Sequence, residues 1–281
     1  MTTMFAEPEE RVALRDAVAK LAGTYGREYV ERQAAAGDKM TDMWLEMGRS
    51  GFLGVNLPEE YGGGGGGMAD LAAVLEECAT AGAPLLMMVV SPAICGSIIV
   101  RCGTEEQKRR WVPGLADGTL LMAFGITEAD AGSNSHQITT TARRDGDEWT
   151  LNGQKTFISG VDEAQSVLIV ARTEDEKTGK LRPALFVVPT DTPGFSRSPI
   201  EMGWAAPEKQ FTLFLDDVRL PHDALIGEQD GDLWQLFAGL NPERIMGAAR
   251  SCGIARYALG RAVEYAKERK VWKDQPIGAH Q

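Results

Sequence analysis

Two short stretches of the chain carry the residue types that could hold a flat ring and support chemistry on it. The first, residues 125–135 (GITEADAGSNS), places hydroxyl groups and flexible backbone at a predicted strand end. The second, residues 155–160 (KTFISG), places an aromatic, a β-branched and a hydroxyl side chain at another strand end. If the two ends face each other, their backbone groups and hydroxyls form a wall that can hydrogen-bond a flat heteroaromatic ring.

A run of six glycines at residues 62–67 offers a competing interpretation as a phosphate-binding loop. A P-loop continues into Gly-Lys followed by Ser or Thr, and that sequence does not follow here. The glycines therefore predict a flexible turn before a helix at residues 70–81. Of the two cofactor chemistries, the strand ends favour a flavin site over a phosphate loop.

Composition limits the classes of partner. The 281 residues are 43% hydrophobic and 25% charged, as expected for a globular protein of one to three domains. The formal net charge of −11 argues against nucleic acid, because binding phosphates requires a basic surface. The most apolar run, residues 84–100, is interrupted by Pro92 and Gly96, which excludes it as a membrane span and predicts a buried helix. Residues 1–10 lack the apolar segment of a secretory signal, so we expect a cytoplasmic protein.

The cysteines show no pattern of metal binding or disulfide pairing. The four, at positions 78, 95, 102 and 252, form no CxxC pair and have no ligand spacing with the three histidines. We therefore expect reduced, mostly buried thiols and no metal site. Residues 276–281 (PIGAHQ) follow directly on a helical pattern, from which we expect the chain to be a fragment of a longer protein.

Hydrophobic periodicity predicts an α+β fold in three parts. Residues 1–119 have helical spacing and predict an N-terminal α-helical domain. Residues 120–231 change to a period of two with hairpin-type turns, which predicts a central antiparallel β-domain. Residues 232–281 return to helix and predict the start of a C-terminal helical bundle, incomplete here, with a short helix through residue 240 and a long one from about 242 to 269. The predicted strands are 121–127, 139–144, 148–155, 166–173, 184–189 and 210–215.

From about residue 8 to its last residue, the chain resembles the acyl-CoA dehydrogenase family. Five kinds of segment carry the resemblance, in the family's order and spacing. They are LPEEYGG at 57–63, ITE at 126–128 with GS at 132–133, LNGQK at 151–155, FLDDVRLP at 214–221, and the stretch from NPER at 241–244 to YAKER at 265–269. Each is weak by itself, and together they are specific.

The resemblance implies FAD, held between the β-domain and the C-terminal helices. A protein that holds FAD must supply hydrogen bonds that stabilise the reduced ring. The residues implied to line the isoalloxazine are Phe124, Ile126 and Thr127 on one side and Phe157, Ile158 and Ser159 on the other. The alternative for Thr127 and Ser159 is ordinary capping of strand ends. Phe157 stands where the family often has Trp.

Four further residues match positions that contact cofactor or substrate. Gly132 and Ser133 resemble the turn beneath the flavin, where Ser133 would touch the acyl-CoA; an ordinary hairpin turn is the alternative. Arg269 and Gln281 match positions that reach the FAD pyrophosphate and adenine of a neighbouring subunit. Close by, residues 272–273 are Trp-Lys where the family usually has Phe-Gly, which removes the backbone freedom of the glycine.

The implied reaction oxidises the Cα–Cβ bond of an acyl-CoA and needs a base for the α-proton. In the family this base is a glutamate, found either in the C-terminal helical part beyond the last residue here or just before the arginine of the long helix. Glu243 occupies the second position. At the predicted start of that helix, the helix dipole would lower its pKa and an apolar pocket would raise it again. A glutamate that only stabilises the first helical turn is the remaining alternative.

The segment around Glu243 also supplies candidate CoA contacts. Arg244 matches an arginine that helps hold CoA, with Asn241 beside it, although a salt bridge from Arg244 to a β-domain carboxylate is an alternative. The resemblance further implies electron-transfer flavoprotein as the acceptor and a homodimer or homotetramer. Two other functions stay open: an acyl-CoA oxidase or flavin monooxygenase relative, and a non-catalytic fragment.

Overall fold

The computed structural model describes residues 6–174, 178–204, 206–227 and 233–280. Its N-terminal part is helical, as predicted. The helices are α1 (Glu9–Ala36), α2 (Thr41–Arg49), α3 (Met68–Thr80), α4 (Leu86–Met88), α5 (Ser97–Cys102) and α6 (Glu105–Asp117), with a π-helical stretch at Val89–Gly96 between α4 and α5 and a short 3₁₀ turn at Glu59–Tyr61.

The apolar run predicted as a buried helix is confirmed, and its helix changes form at a proline. Pro92 lies in the π-helical stretch and is fully within the core, together with Ser91 and Cys95. Proline has no N–H to donate and its ring clashes with the preceding turn, so a locally wider helix accommodates it. The Ser91 hydroxyl accepts a hydrogen bond from the Met122 N–H at 3.1 Å, which joins this helix to the sheet.

The central part is a mostly antiparallel sheet. In the described residues its strands are β1 (Met122–Gly125), β2 (Thr141–Asp145), β3 (Glu148–Ser159), β4 (Ser166–Glu174), β5 (Leu181–Pro189), β6 (Phe195–Ile200), β7 (Gln210–Pro221) and β8 (Leu225–Ile226). They are ordered β6-β7-β3-β2-β4-β5-β8, with β1 beside β4. The β1–β4 pairing and the β2–β4 bridge at Thr141 and Arg172 are both parallel, so the sheet departs from the purely antiparallel prediction on both sides of the candidate site.

Three predicted strands are too short by three residues or more, and two were missed. β5 begins at Leu181, three residues before its predicted start. β3 continues to Ser159 and β7 to Pro221, because irregularities in their pairing interrupt the strict alternation that sequence reasoning follows. β6 was missed because it is an edge strand whose four central residues are all exposed, so it shows no buried face. The two-residue β8 is too short to give a pattern.

The C-terminal part corrects the prediction of two helices. α7 runs without interruption from Leu233 to Glu268, and Pro242 lies inside it. Packing carries the helix past the proline, since Ala238 and Met246 on either side are buried. A Cβ on Gly253 would lie only 2.4 Å from the Glu76 carbonyl oxygen, so α7 approaches α3 as closely as a glycine allows.

The cysteines are unpaired, as expected, although only Cys78 and Cys95 are buried; Cys102 is half-buried and Cys252 exposed. Within the described ranges, no helix combines the length and the apolar composition that crossing a bilayer requires.

The half-buried side chain of Glu163 makes the stability of this fold depend on pH. Burial raises the pKa of Glu163 to about 7; Lys39 opposes the shift, and the neighbouring carboxylates of Glu208 and Asp162 add to it. Because the pKa is higher in the folded protein than in the unfolded chain, Glu163 contributes stability that is complete below about pH 4.5 and is lost as the pH rises through about 7.

We therefore expect Glu163→Gln to flatten the decline in the free energy of unfolding between about pH 4.5 and 7, by on the order of 2–3 kcal/mol. Urea unfolding across this pH range measures the effect. Glu201→Gln, at an exposed glutamate, is the control and should keep the wild-type slope. An unchanged slope in Glu163→Gln would contradict the assignment.

Candidate flavin-binding wall

The two stretches singled out in the sequence meet at one edge of the sheet. The chain leaves β1 at Gly125 and runs beside the last residues of β3, where the Thr156 N–H donates to the Thr127 carbonyl at 2.9 Å. The strand ends predicted to face each other are therefore hydrogen-bonded neighbours. The parallel pairing of β1 with β4 aims residues 126–128 toward this edge.

A buried ion pair holds the two strand ends together. The Lys155 side chain is 0% exposed, and its Nζ donates to Glu128 Oε1 at 2.8 Å and to the Ile126 carbonyl at 3.1 Å. The Glu128 carboxylate also accepts hydrogen bonds from the backbone N–H and the hydroxyl of both Thr139 and Thr140, at 2.6 to 3.0 Å. One carboxylate thus joins β3, the segment after β1 and the segment before β2.

The surroundings of the pair keep its carboxylate charged. Burial alone would raise the pKa of Glu128, but the hydrogen bonds from Lys155, Thr140 and Thr139 outweigh burial and lower it to about 2. Burial lowers the pKa of Lys155 to about 8, although the Glu128 carboxylate opposes that shift. The geometry, with a fully partnered carboxylate 2.8 Å from the ammonium, supports an ion pair at neutral pH.

A change in strand pairing turns Phe157 toward solvent. The register between β3 and β7 shifts between Lys155 and Ile158, and Phe157 adopts φ 57° with 60% of its surface exposed. A positive φ is unfavourable for an aromatic residue and is retained where the surroundings impose it, often at functional sites. Ile158 is 2% exposed, so its side chain belongs to the core and its backbone alone is left for the wall.

The remaining predicted wall residues differ in what they can offer. Phe124 is buried, while Ile126 and Thr127 are half-buried. In the part of the chain that the structure describes, no group hydrogen-bonds Thr127 Oγ1, so this hydroxyl is available to a ligand. Ser159 Oγ exchanges hydrogen bonds with the Gln210 side chain at 2.9 and 3.1 Å. Gly132 and Ser133 lie in the loop after residue 128, with Ser133 exposed.

Glu243 lies in a different setting from the one its sequence predicted. α7 begins at Leu233, so Glu243 is about three turns inside the helix, and the dipole at the helix start cannot lower its pKa. The residue as a whole is exposed, yet the protein around its carboxylate desolvates it and raises its pKa, and the Arg244 guanidinium opposes the shift.

The predicted CoA contacts form one exposed cluster. Arg244 Nη1 donates to Asn241 Oδ1 at 2.8 Å, and its guanidinium lies 5.7 Å from the centre of the Phe237 ring. Within the described ranges these are its partners, so the alternative of a salt bridge to a β-domain carboxylate is not found. Arg244 is exposed, so its guanidinium is accessible to a ligand.

The segment after α7 forms a turn in which a non-glycine residue, Lys273, has a positive φ. Arg269 is exposed, and its carbonyl accepts a hydrogen bond from the Ile277 N–H at 2.8 Å. Lys273, in the place where the family usually has glycine, adopts φ 55°, the left-handed region that glycine occupies freely. The turn therefore forms despite the missing glycine. The predicted contact at Gln281 lies outside the described residues.

These residues fit a flat, hydrogen-bonding cofactor such as FAD. The edge presents an exposed aromatic ring at Phe157 and a Thr127 hydroxyl that has no hydrogen-bond partner among the described residues. It also presents the backbone of a strand end that a buried ion pair holds from behind. Such a wall needs little rearrangement to receive a ring.

Sequence reasoning missed the contribution of Lys155 and Glu128. Both residues lie in motifs noted in the sequence, ITE and LNGQK, but neither was singled out. A signal was present, because Lys155 continues the inward positions of Trp149 and Leu151 along β3, and a lysine on the inward side of a strand requires a buried anion. Locating that anion required the fold.

We expect Lys155→Met to lower the free energy of unfolding by about 3–5 kcal/mol, because it leaves the Glu128 carboxylate buried without its cation. Urea unfolding at neutral pH measures the loss. Lys180→Met, at an exposed lysine, is the matched control and should change stability by less than about 0.5 kcal/mol. Equal losses in the two variants would show that the pair does not hold the strand ends.

Comparison with known proteins assigns the chain to a family. Residues 8–119, 123–218 and 234–281 match the N-terminal, middle and C-terminal domains of acyl-CoA dehydrogenases. The acyl-CoA dehydrogenase FadE12 of Mycobacterium tuberculosis is 65% identical over 279 residues, which cover 99% of this chain and 72% of that protein.

Solved structures give the same result and confirm the predicted α+β fold. A glutaryl-CoA dehydrogenase from Mycobacterium smegmatis in complex with FADH₂ superposes with a TM-score of 0.89 at 30% identity, covering 98% of this chain and 69% of that one. A chain from a structure of the electron transferring flavoprotein of Acidaminococcus fermentans gives 0.91 at 30% identity, covering 99% and 73%. The chain therefore belongs to the acyl-CoA dehydrogenase family, the FAD-dependent oxidoreductases that act on CH–CH groups.

Proposed function

We propose that the protein oxidises the Cα–Cβ bond of an acyl-CoA thioester to give the 2-enoyl-CoA, with Glu243 as the base. The observation that carries this proposal is the meeting of the two strand ends, joined by Thr156–Thr127 and by the buried Lys155–Glu128 pair. That meeting supplies a fixed surface for the flavin, and α7 supplies the carboxylate.

The proposed reaction removes one proton and one hydride from the substrate. Glu243 takes the α-proton, and FAD, when bound, supplies the acceptor for the β-hydride. A raised carboxylate pKa brings the base closer to the weakly acidic α-proton, which favours transfer at neutral pH. Desolvation of the carboxylate, the cause of that shift, also strengthens it as a base.

The exposed cluster on α7 fits the anionic CoA portion. With a net charge of −11, the protein as a whole repels CoA, so a local cation is needed to bind it. Arg244, held in position by Asn241, provides one on the residue next to the base. Ser133 adds an exposed hydroxyl from the loop after residue 128.

The acceptor and the assembly are part of the same proposal. The similar chain in the structure of the electron transferring flavoprotein of Acidaminococcus fermentans supports a flavoprotein of that kind as the electron acceptor. We expect a cytoplasmic homodimer or homotetramer in which Arg269 and Gln281 reach the FAD of a neighbouring subunit. Slow reoxidation in air with product bound would distinguish this dehydrogenase from an oxidase.

Glu243→Gln tests the base directly. We expect the rate of flavin bleaching by acyl-CoA under anaerobic conditions to fall by about 10²–10⁴, the usual contribution of a general base. Stopped-flow absorbance near 450 nm (the approximate flavin band) follows the reaction. Glu264→Gln, at an exposed glutamate further along α7, is the control and should bleach at the wild-type rate.

Bleaching of Glu243→Gln at the wild-type rate would remove Glu243 from the base role and leave the flavin site untouched. A wild-type protein that binds no FAD would instead support the non-catalytic alternative.

A further inference from the structure

A mainly apolar cavity of about 300 Å³ lies where α1, the end of α3 and α7 meet residues 204 and 206–208. It is separate from the wall at residues 124–133 and 155–159, none of which lines it. Most of its surface is hydrocarbon, contributed by side chains such as Val30, Met40, Pro84, Trp204, Ile254 and Tyr257. A cavity of this size and lining suits an apolar chain.

Three charged residues line the cavity, and two of them are already engaged. Glu208 Oε1 accepts a hydrogen bond from the Leu86 N–H at 3.2 Å, at the start of α4. Arg27 Nε donates to Glu31 Oε1 at 2.8 Å. Arg250 differs: its Nε is buried and has no hydrogen-bond partner among the described residues. A buried guanidinium nitrogen without a partner is costly, and a ligand oxygen would remove that cost.

The cavity and the proposed base share one flank of α7. At 100° per residue, Glu243, Arg250, Ile254 and Tyr257 lie within about 60° of one another around the helix axis. With a rise of about 1.5 Å per residue, Arg250 is on the order of 10 Å from Glu243 along that flank. Between them, a Cβ on Gly247 would meet no atom within 4 Å, so the flank is open at this point.

From this arrangement, and resting on the function proposed above, we propose that the cavity receives the distal part of the substrate acyl chain and that Arg250 selects chains ending in a carboxylate. The α-carbon lies at Glu243, the chain passes Gly247, and the terminal carboxylate meets the Arg250 guanidinium. A medium-length acyl group spans the distance of about 10 Å from Glu243 to Arg250, because each extended C–C bond of about 1.5 Å advances the acyl chain by about 1.3 Å.

The chemistry of the cavity favours an anionic end over a methyl end. A carboxylate can accept two parallel hydrogen bonds from a guanidinium, which a methyl group cannot. Glu208 is the competing anion. Burial raises the pKa of Glu208, while hydrogen bonds from its own N–H and the Leu86 N–H and the cations of Arg250 and Lys39 oppose that shift. Because burial disfavours the charged form of Glu208, it weakens this carboxylate as an ionic partner for Arg250.

Binding measured without turnover tests the inference. Two 2-enoyl-CoAs of equal, medium chain length, which the proposed reaction does not oxidise further, are compared on the FAD-loaded full chain by calorimetry, one ending in a methyl group and one in an ω-carboxylate. We expect the ω-carboxylate to bind at least about tenfold more tightly, and Arg250→Met to abolish that preference. Arg261→Met, at an exposed arginine on the same helix outside the cavity, should retain it. Equal affinities in the wild type, or a preference that survives in Arg250→Met, would overturn the inference.

A second pair of variants tests the path along α7. Gly247→Leu places a branched side chain on the open flank and should weaken binding of the medium-chain ω-carboxyacyl-CoA by at least about tenfold relative to a short-chain acyl-CoA. Gly247→Ala, which adds one methyl group, should change that ratio less than about twofold. A ratio unaffected by leucine would overturn the proposed path.

Fluorescence and bleaching separate the two proposals. Trp204 is 67% exposed and lines the cavity, so the ω-carboxyacyl-CoA should change the emission of the wild type but not of Trp204→Phe. If the ω-carboxylate is preferred and changes the Trp204 emission but the flavin is not bleached, the proposed dehydrogenation is contradicted and the cavity assignment stands. If the flavin is bleached but the ω-carboxylate is not preferred, the cavity assignment is contradicted and the proposed dehydrogenation stands.

Discussion

The candidate site depends on one buried ion pair. Lys155 and Glu128 lie behind the wall, where each polar atom of the carboxylate is satisfied by the lysine or by Thr139 and Thr140. Burying two charges costs free energy, which is offset only when the geometry is good and further hydrogen bonds satisfy the charged groups. Here the carboxylate accepts five hydrogen bonds and the ammonium donates two. The pair fixes β3, the segment after β1 and the segment before β2 relative to one another. Residues 126 and 127 therefore lie on a rigid backbone. A site held in this way can keep Phe157 in an unfavourable conformation.

The long helix α7 connects the proposed chemistry to substrate choice. Its inner side, with Gly239, Met246 and Gly253, packs tightly against the N-terminal helices and fixes the position of everything else on it. The adjacent flank carries first the proposed base and then the cavity residues, so in the proposed reaction one rigid element would set the distance between the reacting carbon and the far end of the acyl chain. Under this proposal, one face of α7 would determine both the length and the terminal group of the acyl chain that binds.

The strand ends of the site could be predicted from their residue types, whereas the helix start and the partner of Lys155 depend on long-range packing and could not. The strand ends at 124–128 and 155–159 could be placed together from their residue types and from the family resemblance. The helix start predicted at Pro242 was wrong, because burial of Ala238 and Met246 outweighs a proline that sequence reasoning takes as a boundary. The same error placed Glu243 at a helix start, where the dipole was expected to lower its pKa; desolvation, the opposing effect also expected there, raises it. The partner of Lys155 is 27 residues away in sequence, at a separation where periodicity gives no information.

The central claim is that the joined strand ends form the surface that binds the isoalloxazine ring. A crystal structure of the full chain with FAD bound tests it most directly. The account predicts the ring against Phe157, with Thr127 Oγ1 at hydrogen-bond distance, about 3 Å, from the ring edge. A well-ordered ring that contacts neither residue would contradict it.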